Sequence, residues 1–318
     1  MEKTRQEWLK QTFFRGEALT LEDPLYLRWV QIFTEGLLEA DLGQGDLTVQ
    51  ALMSGREQGR AEMVANEAGI LAGLDELVWF YRRHGLALER LKADGDLVHP
   101  GEAVLRAEGD LKTLLALERT GLNLLQRMSG IATLTRRLQE RIRHRSPTTF
   151  VVATRKTPWG LLDKRAVHLG GGGTHRLGLW DTILIKNNHL KALASSEEEA
   201  VPLAVKRAWS HRGQAVFIEV EVTGLPGALA AARTFRELQN GQAPFPCVMM
   251  LDNVTPEDAE RIILALRDQG LYDHVLIEAS GRIAGESIEA YAAAGVDAIS
   301  VGALTHSAKA LDLHQVLE

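Results

Sequence analysis

From residue 148 to residue 301 the chain repeats one rhythm, and that rhythm narrows the fold more than any other feature. Short β-branched or apolar runs alternate with stretches of helical spacing. The strand candidates are 149–154, 182–186, 216–222, 248–252, 275–279 and 298–301; the helix candidates are 197–210, 227–239, 256–269 and 286–294. Thr255-Pro-Glu-Asp258 reads as a helix start, with a hydroxyl at the cap, proline in the first turn and acids behind it. Strand–helix alternation predicts a parallel sheet with crossover helices. Six strands suit an open doubly wound sheet or a closed barrel, and a seventh is easily missed.

The first 145 residues follow no such rhythm. Residues 27–38 read as a helix, 41–46 as a turn, and 61–72 as two short strands joined at Glu67-Ala-Gly69. A turn cluster at 94–101 precedes a strand at 103–107. From Leu111, apolar residues recur at helical spacing through Leu114, Leu117, Leu122, Leu125, Met128, Ile131 and Leu134, and two helices are expected to meet near Ser129-Gly130. The polar stretch 141–147 marks the expected boundary. With 45% hydrophobic and 25% charged residues the chain has material for a core. A net charge of -6 argues against nucleic acid as a partner. Cys247 is the single cysteine, so neither an internal disulfide nor a cysteine zinc cluster is available. The N-terminal MEKTRQEWLK has no apolar signal core, and no run is long enough to span a membrane. A soluble cytoplasmic protein is the expectation.

Buried parallel strands are nearly all apolar, yet here the strand ends carry charge. The first runs into Thr154-Arg155-Lys156-Thr157, the second into Lys186-Asn-Asn-His189, the fourth into Asp252-Asn253 and the fifth into Glu278-Ala-Ser280-Gly281; the third holds Glu219 and Glu221. In parallel α/β folds, ligands bind at the carboxyl ends of strands. Any one of Arg155, Lys156, Arg176 and Lys186 alone reads as a solvated surface charge. Four converging cations repel one another unless an anion lies among them, and arginine forks suit carboxylate or phosphate. Glu221 and Asp252 are placed to hold magnesium beside a pyrophosphate, since Mg²⁺ takes carboxylates, phosphate oxygens and water. Glu219 shares the sheet face of Glu221; its bland reading is an ion pair with Lys156 or Lys186. The glycines at 170–173 lead into Thr174-His175-Arg176 as a loop that presents side chains or as a merely flexible one. Ser280-Gly281 and Ser300-Val-Gly302 read as phosphate-binding backbone or as tight turns.

Taken together, Thr154-Arg-Lys-Thr157, Lys164-Arg-Ala-Val167, Gly171-Gly-Gly173, His175-Arg-Leu-Gly-Leu179, Leu184-Ile-Lys-Asn-Asn-His189, Glu219-Val-Glu-Val222, Leu251-Asp-Asn253, Glu278-Ala-Ser-Gly281 and Val301-Gly-Ala-Leu-Thr-His-Ser307 resemble the quinolinate phosphoribosyltransferase family. This family is also called nicotinate-nucleotide pyrophosphorylase (carboxylating). Gly45-Asp-Leu-Thr48, Glu118-Arg-Thr-Gly-Leu-Asn123, Leu125-Gln126 and Ser129-Gly-Ile-Ala-Thr133 resemble its N-terminal domain, so the likeness covers nearly the whole chain.

The resemblance implies an α/β fold: an N-terminal α/β sandwich domain (1–145, joined by a C-terminal helix at 304–318) and an incomplete, seven-stranded α/β barrel (146–303). It implies a cytoplasmic homodimer, acting on neither nucleic acid nor membrane, in which Arg119 reaches across to the partner's substrate; read alone, Arg119 suits a helix-surface salt bridge. The substrates would be quinolinate and phosphoribosyl pyrophosphate, with Mg²⁺ as cofactor and nicotinate mononucleotide, carbon dioxide and pyrophosphate as products of a step in NAD biosynthesis. Carried over by position, Arg119, Thr154, Arg155, Lys156, His175, Arg176 and Lys186 would line the dicarboxylate pocket. Glu221 and Asp252 would face ribose and metal, Ser280, Gly281 and Gly302 would hold phosphate, and Lys156, Glu221 and Asp252 would be catalytic. Two departures lie beside the site. Thr157-Pro-Trp-Gly-Leu-Leu162 replaces the family's longer Pro-Gly-Leu-Arg stretch, and Thr174 stands where the family usually has asparagine. The alternatives are a phosphoribosyltransferase of the same fold acting on another anionic heterocycle, a paralogue associated with molybdenum transport, and a non-catalytic phosphate-binding barrel.

Overall fold

The computed structural model describes residues 3–318 except Arg56, Ala243 and Glu286, so the start of the helix expected at 286 lies outside the described residues. In chain order the elements are α1 (Arg5–Phe13), α2 (Pro24–Leu42), α3 (Leu47–Leu52), β1 (Gln58–Ala65), β2 (Gly69–Ile70), α4 (Leu74–Arg83), β3 (Ala87–Arg90), β4 (Leu97–Val98), β5 (Ala103–Asp110) and α5 (Leu111–Arg143). There follow β6 (Phe150–Val152), α6 (Leu161–Leu169), β7 (Ile183–Ile185), α7 (Asn187–Lys191), α8 (Glu197–Ser210), β8 (Ile218–Val222), α9 (Leu225–Gln239) and β9 (Cys247–Asp252). The chain closes with α10 (Pro256–Asp268), β10 (Leu276–Ser280), α11 (Ile288–Ala294), β11 (Ala298–Ser300), α12 (Ala303–His306) and β12 (Leu313–Leu317).

Two compact units result. One comprises Met1–Arg15, Arg137–Thr157 and Gly172–Ala303; the other comprises Gly16–Arg136, Pro158–Gly171 and Leu304–Glu318. A single boundary near residue 145 would have placed the opening segment with the second unit and 158–171 with the first.

The second unit is built on an antiparallel sheet in the order β12-β1-β5-β3, with β2 paired to β4. On β1, Ala61, Met63 and Ala65 alternate inward, as period-2 patterning requires. The segment 304–318 is not the expected helix. After the short α12 it becomes β12, whose Leu313–Leu317 pair antiparallel with Ala61–Ala65 of β1. The local sequence, with four leucines and two alanines in fifteen residues, favours helix, but an open sheet edge distant in sequence takes it as a strand. Nor do two helices meet at Ser129-Gly130: α5 is one helix of 33 residues. Gly130 serves close packing, because a β-carbon there would lie 2.1 Å from the Lys309 carbonyl oxygen.

The first unit carries a parallel sheet in the order β6-β11-β10-β9-β8-β7. All six expected strands are present. The expected seventh is represented by one bridge, Val152 to Gly173, and no hydrogen-bonded ladder closes the ring among the described residues. One face of this sheet is layered. Val248, Leu276 and Ala298 toward their strand starts and Val152 at the end of β6 form an apolar cluster with Phe217 and with Leu9 and Phe13 of α1. Helix α1 begins with a Thr4–Glu7 capping box, which the mixed charges of the opening residues concealed. Full burial of Leu9 and Phe13 stabilises this seat by about 2–3 kcal/mol each. Arg5 anchors the helix start through Nε to Asp297 Oδ1 (2.7 Å).

Candidate active site

In the first unit the exposed cations, Glu221, Asp252 and Ser280 lie at strand ends, Glu219 and Glu278 lie within β8 and β10, and His175 and Arg176 lie in the loop before β7. Register sets the rows: Glu221 pairs with Met250, Met250 with Glu278, and Glu278 with Ala298, so these side chains share one face. One row further on, Asp252 pairs with Ser280. Thr154, Arg155 and Lys156 follow β6, Lys186 follows β7, and Gly302 follows β11. Apolar residues therefore fill the starts of the strands, and charge gathers at their carboxyl ends.

The cations differ in their state. Arg155, Lys156 and Lys186 are exposed, and Lys186 Nζ lies 3.8 Å from Glu221 Oε1. The Thr154 hydroxyl accepts the Lys156 N–H (3.1 Å), which folds the turn. Arg176 is only 6% exposed, yet its guanidinium makes no hydrogen bond or ion pair among the described residues. Burial, and next the charge of Arg155, hold its pKa below the usual arginine value. A buried cation without a counter-ion is costly unless an anion completes it.

Beneath Arg176 lies an acidic pair. Glu219 and Glu278 are fully buried, and Glu219 pairs with neither Lys156 nor Lys186. Both face His175: its Nε2 is 3.1 Å from Glu219 Oε2 and 3.0 Å from Glu278 Oε2. Burial pulls the imidazole pKa down, but the charges of Glu278 and Glu219 outweigh it and raise it to about 9. Burial, then Glu278, pushes Glu219 up to about 7. The Arg176 N–H points at His175 Nδ1 (2.6 Å), which favours a bare Nδ1, the ring proton on Nε2, and a second proton on a carboxylate. An imidazolium between two carboxylates has the same proton count, so the cluster carries one negative charge either way. His175 is thus placed next to Arg176 but turned inward, 5% exposed. These three are also the one His–carboxylate group among the described residues whose ligand atoms lie within 4.8 Å of one another.

On the other side of the row, two strand-end loops adopt left-handed backbone. Gly281 has φ +104°, and a β-carbon there would lie 2.5 Å from Asn253 Oδ1 and 2.7 Å from Asn253 N, so only glycine fits. Asn253 (φ 55°) donates its N–H to the Ser280 carbonyl (2.9 Å), and Arg282 follows with φ 51°. Such turns expose backbone N–H groups in a concave array that suits phosphate. Sequence reasoning placed Asn253 at a strand end without giving it a role and missed Arg282, for which its place directly after the strand-end Gly281 was the available signal.

Glu221 and Asp252 offer carboxylate oxygens on neighbouring strands, the donor type a hard cation takes. Asp252 is half-buried, and its carboxylate has no partner among the described residues; Glu221 accepts only the Asn187 N–H (2.9 Å) through Oε2 and leaves Oε1 toward Lys186. Cys247 has no role here, because burial pushes its thiol up to about 12.

In the second unit, Arg119 is exposed on α5 and has no side-chain partner among the described residues. The departure at Pro158-Trp159 is anchored in this same unit. Trp159 packs on Phe33 (ring centroids 4.6 Å), its carbonyl accepts from Trp29 Nε1 (3.0 Å), and the Arg127 guanidinium lies 5.0 Å from its ring. Arg127 in turn grips the buried Asp163 through Nε (2.9 Å) and Nη2 (2.8 Å). A cavity of about 430 Å³ lined by Trp79, Arg82, Arg83 and Arg90 also belongs to this unit and holds none of the residues singled out from sequence. No helix is long and apolar enough to cross a membrane among the described residues.

Comparison with known proteins meets this geometry. Residues 46–129 match the family model of the quinolinate phosphoribosyl transferase N-terminal domain, and 131–316 match that of the C-terminal domain. The chain is 38% identical over 279 residues, 87% of its length and 95% of the other, to the "Probable nicotinate-nucleotide pyrophosphorylase (carboxylating)" of Methanothermobacter thermautotrophicus. It is 35% identical over 289 residues, 87% of its length and 79% of the other, to quinolinate phosphoribosyltransferase (decarboxylating) 1 of Nicotiana glauca. Among solved structures, the nicotinate-nucleotide pyrophosphorylase from Francisella tularensis aligns with a TM-score of 0.78 at 32% identity, covering 92% of this chain and 96% of that one. With both domain models matched in order over residues 46–129 and 131–316, and a relative 38% identical over most of its length, the chain belongs to the quinolinate phosphoribosyltransferase family.

Proposed function

We propose that the protein joins quinolinate to the phosphoribosyl group of phosphoribosyl pyrophosphate, releasing pyrophosphate and carbon dioxide and forming nicotinate mononucleotide for NAD biosynthesis. The observation that carries this reading is Arg176, a nearly buried guanidinium that touches no carboxylate directly among the described residues and lies beside the like charge of Arg155. A dicarboxylate supplies the missing charge, and planar forks bind its oxygens in pairs. The acidic cluster of His175, Glu219 and Glu278 offsets the cations from below and keeps them in place when the pocket is empty.

The chemistry needs no enzyme nucleophile. The pyridine nitrogen lone pair forms the bond to C1 of the ribose while the C1–oxygen bond breaks, and its electron pair leaves with pyrophosphate. The now cationic ring draws electrons from the adjacent carboxylate: the carbon–carbon bond breaks, carbon dioxide departs, and the ring carbon takes a proton from solvent. Arg155, Lys156, Arg176 and Lys186 orient the two carboxylates. Ser280, Gly281 and Gly302 hold the 5-phosphate on backbone N–H groups. Glu221 and Asp252 would hold Mg²⁺, which when bound neutralises charge on the pyrophosphate. Preorganised charges of this kind are worth on the order of 3 kcal/mol each in the transition state. The working form is a homodimer in which Arg119 reaches a substrate held by the partner subunit, a reading supported by its exposed, unpaired side chain.

Incubation with quinolinate, phosphoribosyl pyrophosphate and magnesium, followed by mass spectrometry, tests the proposal. Nicotinate mononucleotide and carbon dioxide are expected from quinolinate and none from nicotinate run in parallel. Turnover of nicotinate but not quinolinate would overturn the substrate assignment, and full turnover after removal of magnesium would overturn the metal site.

A further inference from the structure

The loop 174–181, which carries His175 and Arg176, is held by a segment that lies before both regions matched to the family. Residues 3–15 precede residue 46, where the first family match begins. Nevertheless the Phe13 carbonyl accepts the N–H of Thr174 (2.7 Å) and of His175 (3.2 Å), and it also accepts the Thr174 hydroxyl (3.1 Å). The same hydroxyl accepts the Arg15 N–H (3.1 Å). At the far end of the loop, Arg15 Nη1 bonds Asp181 Oδ1 (2.9 Å), while Asp181 Oδ2 accepts the Leu177 N–H (2.8 Å). The Phe13 ring stands 5.5 Å from the His175 imidazole. His175 takes φ 53°, a left-handed conformation that a non-glycine residue keeps only when its surroundings impose it.

We propose that Phe13–Arg15 are positioning residues for dicarboxylate recognition: they brace both ends of the 174–181 loop, set His175 on Glu219 and Glu278, and so aim Arg176 into the anion site. This rests on the reading of Arg176 as a substrate contact. It also explains Thr174, the departure from the family's usual asparagine: its hydroxyl both donates to and accepts from this brace. Asp181 is 3% exposed, and its carboxylate is satisfied only by the brace and the loop itself.

The test uses Arg15→Ala, Arg15→Lys and Thr174→Val in the full chain, with steady-state kinetics in each substrate and amide hydrogen exchange. Arg15→Ala is expected to raise the KM for quinolinate about tenfold, as for a misaimed contact, with kcat and the KM for phosphoribosyl pyrophosphate changed less than about twofold. Thr174→Val should move the same parameter, Arg15→Lys should restore most of it, and exchange at amides 174–181 should quicken in Arg15→Ala alone of the two arginine variants. An unchanged quinolinate KM in both Arg15→Ala and Thr174→Val, or an equal rise in both KM values, would overturn the proposal. If the wild type failed to turn over quinolinate, the substrate reading would fall, and the exchange measurement would still decide whether the brace holds the loop.

Discussion

Each unit of this protein sets a pair of carboxylates in or beside its core, and the two pairs serve different ends. In the second unit Tyr26 donates to Glu76 Oε1 (2.6 Å), and Asp94 accepts the N–H groups of Leu74 (2.9 Å) and Asp75 (3.1 Å). Helix α4 starts at Gly73, which has no side chain to cap it, so Asp94 supplies the missing acceptor from a distant turn. These contacts close on the protein, although Glu76 Oε2 is buried without a hydrogen-bond partner. In the first unit, Glu219 and Glu278 close on His175, but the neighbouring Arg176 is left open. Burial and shifted ionisation occur in both: burial, then Asp94, raises Glu76 to about 7, as burial and Glu278 raise Glu219. A perturbed carboxylate therefore does not mark a site. The mark is an unpaired buried charge of the opposite sign beside left-handed backbone.

Substitutions can break that contrast. The largest effect is expected for Arg176→Ala: quinolinate turnover should fall by about 100- to 1,000-fold, while the melting temperature holds or rises, since the lost cation had no partner. Loss of folding instead would show that Arg176 is structural. Glu278→Ala leaves the imidazole with one carboxylate and should cost about 3 kcal/mol in denaturant unfolding, as well as activity. Glu76→Gln should leave activity intact and change only the pH dependence of stability. The folded pKa of about 7 lies above the ordinary 4.5, so the native state keeps a proton that the unfolded chain loses. Wild-type stability should fall as pH rises from about 4.5 to about 7 and then level off, and the glutamine variant should lack a drop on the order of 1–3 kcal/mol. The smallest effect is expected for Asp94→Ala, about 1 kcal/mol for a lost helix cap, with kinetics unchanged. A kinetic defect in either of these last two variants would erase the distinction between the clusters.

Much of this was legible in the chain. The six strands of the parallel sheet stand within a few residues of where alternation placed them, and helix 197–210 has the expected bounds. The strand-end residues Arg155, Lys156, Lys186, Glu221, Asp252 and Ser280 fall at carboxyl ends because side-chain period and strand direction are local properties. Less legible were the relations that span the sequence. Glu219 could be read as a partner of lysine; its true partner, His175, lies in a different loop, and no local spacing ties that loop to Glu278 on a strand further still.

Local pattern determined the alternating elements, the charged strand ends and the glycine-bearing loops, since each depends on a few neighbouring residues. Tertiary structure decided the rest. It made β12 a strand because β1 offered unpaired backbone, and it carried α5 unbroken through Gly130 because that glycine admits the chain at Lys309. It also turned an unremarked opening helix into the seat of His175, because the starts of the parallel strands expose an apolar face that Leu9 and Phe13 cover. Burial and hydrogen bonding between distant segments are properties of the folded chain, and they separate the satisfied charge from the one left open.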